Sequence, residues 1–406
     1  MKIIHTSDWH LGRLLYSHKR YEEFEAFLNW LHDLIEKEKI DCLLVAGDIF
    51  DTNTPSNRAQ EMYFKFLTRV AESKCRHVVV IGGNHDSPTL LEAPKSVLKF
   101  LNVHVVGAMS ENIEDELIEL KNENNELELL ICAVPYLRDK DVRKTSMGQS
   151  HDDKHNDLMR GIKEHYAELT QLAVNKNVNN SPIIGMGHLF TSGGKTHDDD
   201  GVRDLYVGTL ANLGADTFSE DLDYVALGHL HIPQIVSKQN RIRYCGSPLP
   251  MGFGEAEQQK QVNMIEFNGR TPEVKEVHIP RFQRLKQISG TWNEIKKSIE
   301  ILKEENERIY IEIDYENSEN KPTFNQELDE LIENSQLKVL RLRVKEFLKT
   351  TTKRQHIGES LSDLNEYDVF NRRLSYLDYE DKEKEELIQT YKELLHIRDT
   401  KDINAE

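Results

Sequence analysis

The sequence predicts an α/β protein in which short buried strands alternate with amphipathic helices, followed by a smaller α+β unit and a helical tail. Three observations point there. Apolar runs recur as far as Gly228, and each stops at a small residue or a short polar step. Stripes with helical spacing stand between the early runs. After Pro280 the rhythm changes to a tighter alternation of strand and helix. Short runs rich in β-branched residues and bounded by Gly read as buried strands, whereas i, i+3, i+4 spacing reads as amphipathic helix.

In chain order, the first strand is the run at Ile3-Ile4. The stretch Tyr21–Glu38 follows, with Phe24, Phe27, Leu28, Leu31, Leu34 and Ile35 at helical spacing. The run Cys42-Leu43-Leu44-Val45-Ala46 is the second strand, residues 59–71 repeat the helical pattern, and Val78-Val79-Val80-Ile81 is the third. Residues 117–134 alternate charged and apolar around Asn122-Glu123-Asn124-Asn125, the pattern of a hairpin at a sheet edge. Residues 140–180 are polar and partly helical and read as an insertion, with its longest loops near 145–156. Strands then end at Gly187-His188 and Gly228-His229, and residues 193–201 form a Gly-rich loop. Strands at 287–289, 310–314 and 339–345 and helices at Trp292–Glu304 and 324–335 make the small unit. A polar linker at 350–359 precedes two amphipathic helices marked by Leu364, Tyr367, Phe370 and Leu374 and by Leu387, Ile388, Tyr391, Leu394 and Leu395. The expected domains are 1–280, 281–348 and 349–406.

The ends of the apolar runs carry the chemistry. The first is followed by Asp8-Trp9-His10, the second by Gly47-Asp48, the third by Gly83-Asn84-His85-Asp86. Two later ones end in Gly187-His188 and Gly228-His229-Leu230-His231. One His-x-His is weak evidence for a site, but five strands ending in donor side chains are not a coincidence of composition. In layered α/β folds, sites form outside strand ends. Seven donors, Asp8, His10, Asp48, Asn84, His188, His229 and His231, are too many for one ion but suit two that share a carboxylate. With nitrogen and oxygen donors and no thiolate, manganese, iron or zinc fits better than calcium. His85, beside Asn84, is left to act as an acid or a phosphate contact, with Asp86 expected to orient it.

Composition narrows the class. The chain has 406 residues and a formal net charge of −18, so it is not built to coat DNA on its own. Cys42, Cys75, Cys132 and Cys245 are far apart and read as buried free thiols of a reducing cytoplasm. Asp8 and His10 arrive before a signal-peptide core could form. No apolar run approaches the ~20 residues of a membrane span. A Gly-x-x-x-x-Gly-Lys-Ser/Thr motif is absent, so ATP hydrolysis would belong to another chain.

In order and spacing, the five motifs resemble those of the calcineurin-like metallophosphoesterases. The flanking segments Ser7-Asp8-Trp9-His10-Leu11-Gly12-Arg13, Gly47-Asp48-Ile49-Phe50-Asp51, His85-Asp86-Ser87-Pro88 and Gly246-Ser247-Pro248-Leu249 are similar to the SbcD branch, the nuclease subunits of bacterial complexes related to the break-repair nucleases of archaea and eukaryotes. The resemblance implies a two-sheet sandwich with a capping domain and two divalent ions, with Mn2+ the expected metal. Asp8, His10, Asp48 and His231 would hold one ion and Asp48, Asn84, His188 and His229 the other, with His85 assisting at the scissile phosphate. It implies DNA exonuclease and hairpin-opening endonuclease activity in recombination, replication and repair. It also implies a homodimer through the nuclease domain near residues 59–71 and 90–101, where Tyr63 and Phe64 are expected to be exposed. The C-terminal helices would dock on an SbcC-type coiled-coil ATPase in a heterotetramer with two copies of each subunit. Archaeal relatives carry a second active-site histidine where this chain has Asp51. Two other readings stand beside this one: a phosphodiesterase of the same fold acting on other substrates, and a non-catalytic scaffold. The intact donor set argues against the scaffold.

Overall fold

The computed structural model describes residues 1–122, 124–142, 151–191, 213–317 and 324–346, and positions 370, 374, 384 and 387–391 beyond them. The chain divides into two compact units, Met1–Glu346 and Phe347–Glu406.

The first unit is built on two six-stranded sheets packed face to face. One runs Thr271–His278, Gln261–Asn268, Lys2–Thr6, Cys42–Ala46, His77–Ile81, Val103–Val106. The other runs Gln234–Ile235, Ile242–Tyr244, Tyr224–Gly228, Ile183–His188, Leu127–Ala133, Leu117–Lys121. The four strands from Lys2–Thr6 to Val103–Val106 are parallel, and so are Leu127–Ala133, Ile183–His188, Tyr224–Gly228 and Ile242–Tyr244. Both faces of such strands are covered, which is why they read as unbroken apolar runs. Alternation assigns each residue its layer. Cys42, Leu44 and Ala46 face the second sheet, against Ile131, Ile184, Met186 and Ala226. Leu43 and Val45 face outward onto Phe24, Phe27, Leu31, Phe66 and Leu67 of the helices Tyr21–Glu38 and Asn57–Ala71.

The hairpin expected at 117–134 is present, with Leu117–Lys121 as the edge strand, antiparallel to Leu127–Ala133. Residues 140–180 are not an insertion. A 26-residue helix, His151–Lys176, fills most of that stretch and is the crossover between two parallel strands. Its Leu158, Ile162, Tyr166, Leu169 and Ala173 bury against the outer face of the second sheet. The polar outer face of this helix dominates the composition and hid the apolar stripe beneath it. Tyr63 is also not a surface residue: it is 1% exposed, packed on Phe50 with ring centroids 5.4 Å apart. The four cysteines are free and buried.

The small unit has strands Arg284–Gly290, Ile309–Asn317 and Leu337–Glu346 and helices Trp292–Glu304 and Phe324–Ile332. Its strands are parallel, so it is a βαβαβ unit and not the α+β arrangement expected. Ile295, Ile299 and Leu328 cover one face of the sheet. The loop 193–201 and the linker 350–359 lie outside the described residues. In the second unit Phe370 and Tyr391 stack at 3.9 Å with planes 9° apart, while Leu364, Tyr367, Leu394 and Leu395 of the two expected tail helices lie outside the described residues. Among the described residues no helix is long and apolar enough to cross a membrane.

Candidate metal centre

Five parallel strands, Lys2–Thr6, Cys42–Ala46, His77–Ile81, Ile183–His188 and Tyr224–Gly228, bring their carboxyl ends to one place, and every donor named above stands there. Two loops are laced together first. The N–H groups of Asp8, His10 and Leu11 donate to the carbonyls of Gly47, Asp48 and Ile49 at 3.0, 3.0 and 2.9 Å. This backbone pairing sets Asp8 and His10 against Asp48. It is achieved in left-handed conformations: φ is 53° at Asp8, 47° at His10, 50° at Asp48 and 103° at His229. Such backbone costs about 1–3 kcal/mol per residue and persists only where its surroundings enforce it. Two glycines make room. A Cβ on Gly83 would run into the Asp48 carboxylate, and one on Gly228 into the Ala46 carbonyl.

The donors fall into two buried clusters. Asp8, His10 and His231 form one; Asp48, His188 and His229 form the other. Asn84 Oδ1 lies 3.0 Å from both His188 Nε2 and His229 Nδ1, within the second cluster. Asp48 Oδ2 reaches both: it is 3.6 Å from His10 Nε2 and 3.3 Å from His188 Nε2. His229 and His231 would share a face of an extended chain. The turn at His229 instead sends one imidazole to each cluster.

Main-chain groups hold the donors. Asp8 Oδ1 accepts from the His229 N–H at 2.9 Å, and its other oxygen accepts from Ser7 Oγ. Asp48 Oδ1 accepts from the His85 N–H at 2.9 Å. His188 Nδ1 donates to the Ala46 carbonyl at 2.9 Å, which turns Nε2 toward Asp48 and Asn84. His85 Nδ1 likewise donates to the Asp51 carbonyl at 2.8 Å, so its Nε2 is the free nitrogen. Asp86 does not orient the His85 ring. Its carboxylate accepts from the N–H groups of Gly83, Ile49 and Phe50 and ties two site loops together.

The electrostatics suit cations. Burial would raise Asp48, but the imidazoles of His188, His10 and His85 outweigh it and hold its carboxyl well below the usual range. Burial raises Asp8, with Asp48 adding to the rise and His188 and His231 opposing it. Burial lowers His229 to about 3 and His10 to about 4, so both rings are neutral, the form that binds metal. Burial would lower His188 too; the Asp48 charge overcomes it and raises the ring to about 9. The donor set fits divalent ions on a further ground. His10 Nε2 and His231 Nε2 face each other at 3.1 Å, two ring nitrogens converging on one point inside the protein.

Sequence reasoning missed three charged side chains here. Glu255 is fully buried, with Oε1 3.6 Å from His231 Nδ1, and is paired with Lys260. Lys260 Nζ also donates to the His231 carbonyl at 3.1 Å and to Ser247 Oγ at 3.0 Å. Arg13 holds the Asp51 carboxylate at 3.1 Å. Nothing in local spacing marks Glu255 or Lys260, because only the fold brings them to His231.

Two buried donor clusters joined by one carboxylate, at the strand ends of a double sheet, define a metallophosphoesterase. A family model described as calcineurin-like phosphoesterase matches residues 1–233, and one described as type 5 capsule protein repressor C-terminal domain matches residues 281–376. The chain is 32% identical over 403 residues to a protein of Escherichia coli K12 named as the SbcD subunit of the nuclease SbcCD, covering 98% of each chain. Proteins of the same name match from Rhodobacter capsulatus, at 33% over 66% of this chain and 67% of that one, and from Bacillus subtilis, at 30% over 66% of each. The chain therefore belongs to the calcineurin-like phosphoesterases and, within them, to the family of SbcD nuclease subunits.

Proposed function

We propose that this chain is the nuclease subunit of a bacterial SbcCD-type complex, a metal-dependent phosphodiesterase that cuts DNA together with an SbcC-type ATPase in the cytoplasm. The single observation that carries the reading is the pair of buried clusters sharing Asp48. In it Asp8, His10, Asp48 and His231 hold one divalent ion and Asp48, Asn84, His188 and His229 the other, with Mn2+ the preferred metal. When bound, such a pair of ions polarises a phosphodiester and makes water a better nucleophile at neutral pH.

The protein's own part is positioning and proton transfer. Asp48 keeps both clusters in register through one oxygen. His85 is 9% exposed and its ring is fixed through Nδ1; as an imidazolium it carries a second proton on Nε2, which it would give to the departing oxygen, returning to the neutral ring. Residues 281–348 form a cap beside the nuclease domain. The net charge of −18 is matched by reliance on a partner for duplex affinity.

The test is cleavage of a model phosphodiester and of duplex DNA, the latter with the partner ATPase and ATP. Manganese-dependent cleavage that chelation abolishes supports the reading. A chain that binds two Mn2+ yet hydrolyses only mononucleotide or phosphoprotein substrates moves it to another phosphoesterase of the same fold. A chain that binds no metal sinks it.

A further inference from the structure

We propose that Asp51 and Glu255 are positioning carboxylates, one behind each imidazole of the first cluster, which hold His10 and His231 in the tautomer that leaves both Nε2 atoms bare for a cation. The inference rests on the metal-centre reading above and assigns side chains that the reading does not use.

His10 Nε2 and His231 Nε2 face each other 3.1 Å apart, placed to share one cation. A shared cation needs both Nε2 lone pairs. Each neutral ring must then keep its single proton on Nδ1. What faces those two nitrogens is a carboxylate in each case. Asp51 Oδ1 lies 3.5 Å from His10 Nδ1, and Glu255 Oε1 lies 3.6 Å from His231 Nδ1. Both separations are a few tenths of an ångström long for a hydrogen bond. His10 Nδ1 and Glu255 Oε1 are buried atoms that make none. With its proton on Nδ1, each ring has a carboxylate oxygen only a few tenths of an ångström beyond hydrogen-bond distance to accept it.

Each carboxylate is itself held by a cation. Arg13 binds Asp51, and Lys260 binds Glu255. The carboxylates thus keep their charge in the interior and cannot turn away from the rings. The second cluster is built differently. His188 Nδ1 is fixed by the Ala46 carbonyl, which no side-chain substitution removes. Loss of Asp51 or Glu255 should therefore weaken one of the two ions and spare the other. Partners of this kind commonly tune metal affinity 10–100-fold, roughly.

The experiment is a manganese titration of the full-length chain, read by the electron paramagnetic resonance signal of free Mn2+, with thermal unfolding as a check on folding. Asp51, with its side chain 24% exposed, is the safer position. Asp51→Ala should weaken one of two sites by about 10–100-fold. Asp51→Asn keeps an oxygen that accepts from Nδ1 and should restore affinity to within a few-fold. The double variant Glu255→Met/Lys260→Met removes the second carboxylate with its counter-charge and should weaken the same site. Wild-type affinity at both sites in Asp51→Ala overturns the proposal. So does equal weakening at both sites, or an Asp51→Asn as weak as the alanine variant, since charge and not orientation would then be at work. If the unmodified chain fails to take up two Mn2+, the metal-centre reading itself has failed, which is a different result.

Discussion

One oxygen of Asp48 lies 3.6 Å from His10 and 3.3 Å from His188, so a single truncation removes a donor from both clusters. Asp48→Ala should leave the chain folded, empty the centre and abolish phosphodiester cleavage; metal analysis of the purified variant checks this, and two retained ions would refute the shared role. For His85 the opposite split is expected. Its Nδ1 is spent on the Asp51 carbonyl and holds no donor of either cluster. His85→Ala should keep both metals and lose ~10²–10⁴ of its turnover, the usual contribution of a positioned proton donor. Near-normal turnover with full metal content removes His85 from the chemistry. The donors were legible as residue types because each follows an apolar run that stops at Gly or a polar step. The role expected of Asp86 was not, since adjacency in sequence to His85 says nothing of a carboxylate that turns back to the Ile49 and Phe50 amides.

At the scale of the elements, the two sheets are joined beneath the centre by a buried polar chain. Asn263 Nδ2 donates to Tyr224 Oη at 3.4 Å, Tyr224 donates to His5 Nδ1 at 3.0 Å, and His5 Nε2 donates to the Leu227 carbonyl at 3.2 Å. Both ring nitrogens of His5 are used and the ring is neutral; burial lowers it to about 3. The sign follows from linkage. The unfolded chain takes up a proton on His5 near its ordinary pKa of about 6.5, whereas the folded chain resists until about 3, so the unfolded state binds more protons between these values and stability falls as the pH drops through that window. The loss is on the order of a few kcal/mol when complete. His5→Gln should flatten the acid limb of unfolding free energy against pH, measured by denaturant titration from pH 7 to 4. An unchanged slope would show that other groups set the acid sensitivity. The helix His151–Lys176 teaches a related lesson at this scale. Its exposed face is so charged that the stretch read as an insertion, although Ile162, Tyr166 and Leu169 lie in the core.

For the molecule as a whole, all seven donors precede Ile232, and the second compact unit begins only at Phe347. None of the seven named donors lies in the tail, and the sequence holds no Gly-x-x-x-x-Gly-Lys-Ser/Thr motif. Deleting residues 361–406 should leave metal binding and manganese-dependent cleavage of small or single-stranded substrates intact while abolishing ATP-dependent digestion of duplex ends. Size-exclusion with the partner ATPase separates the outcomes. A truncated chain that still assembles shows that the stacked Phe370 and Tyr391 merely close off the chain's own end.

By itself the sequence determined the elements and the chemical kind of the site. Strand alternation and helical spacing are local properties, so the runs ending in Asp8, Asp48, Asn84, His188 and His229 and the strands and helices of the small unit could be placed to within a few residues. What only the tertiary structure decided is how donors are shared out and what stands behind them. His229 and His231 are two residues apart yet serve different clusters, because a positive φ at His229 breaks the alternation that local spacing assumes. The Asp51 carboxylate meets His10, and that of Glu255 meets His231, across loops whose approach depends on sheet register and on backbone hydrogen bonds between distant segments. Contacts of that kind have no period along the chain, so no pattern in the sequence records them.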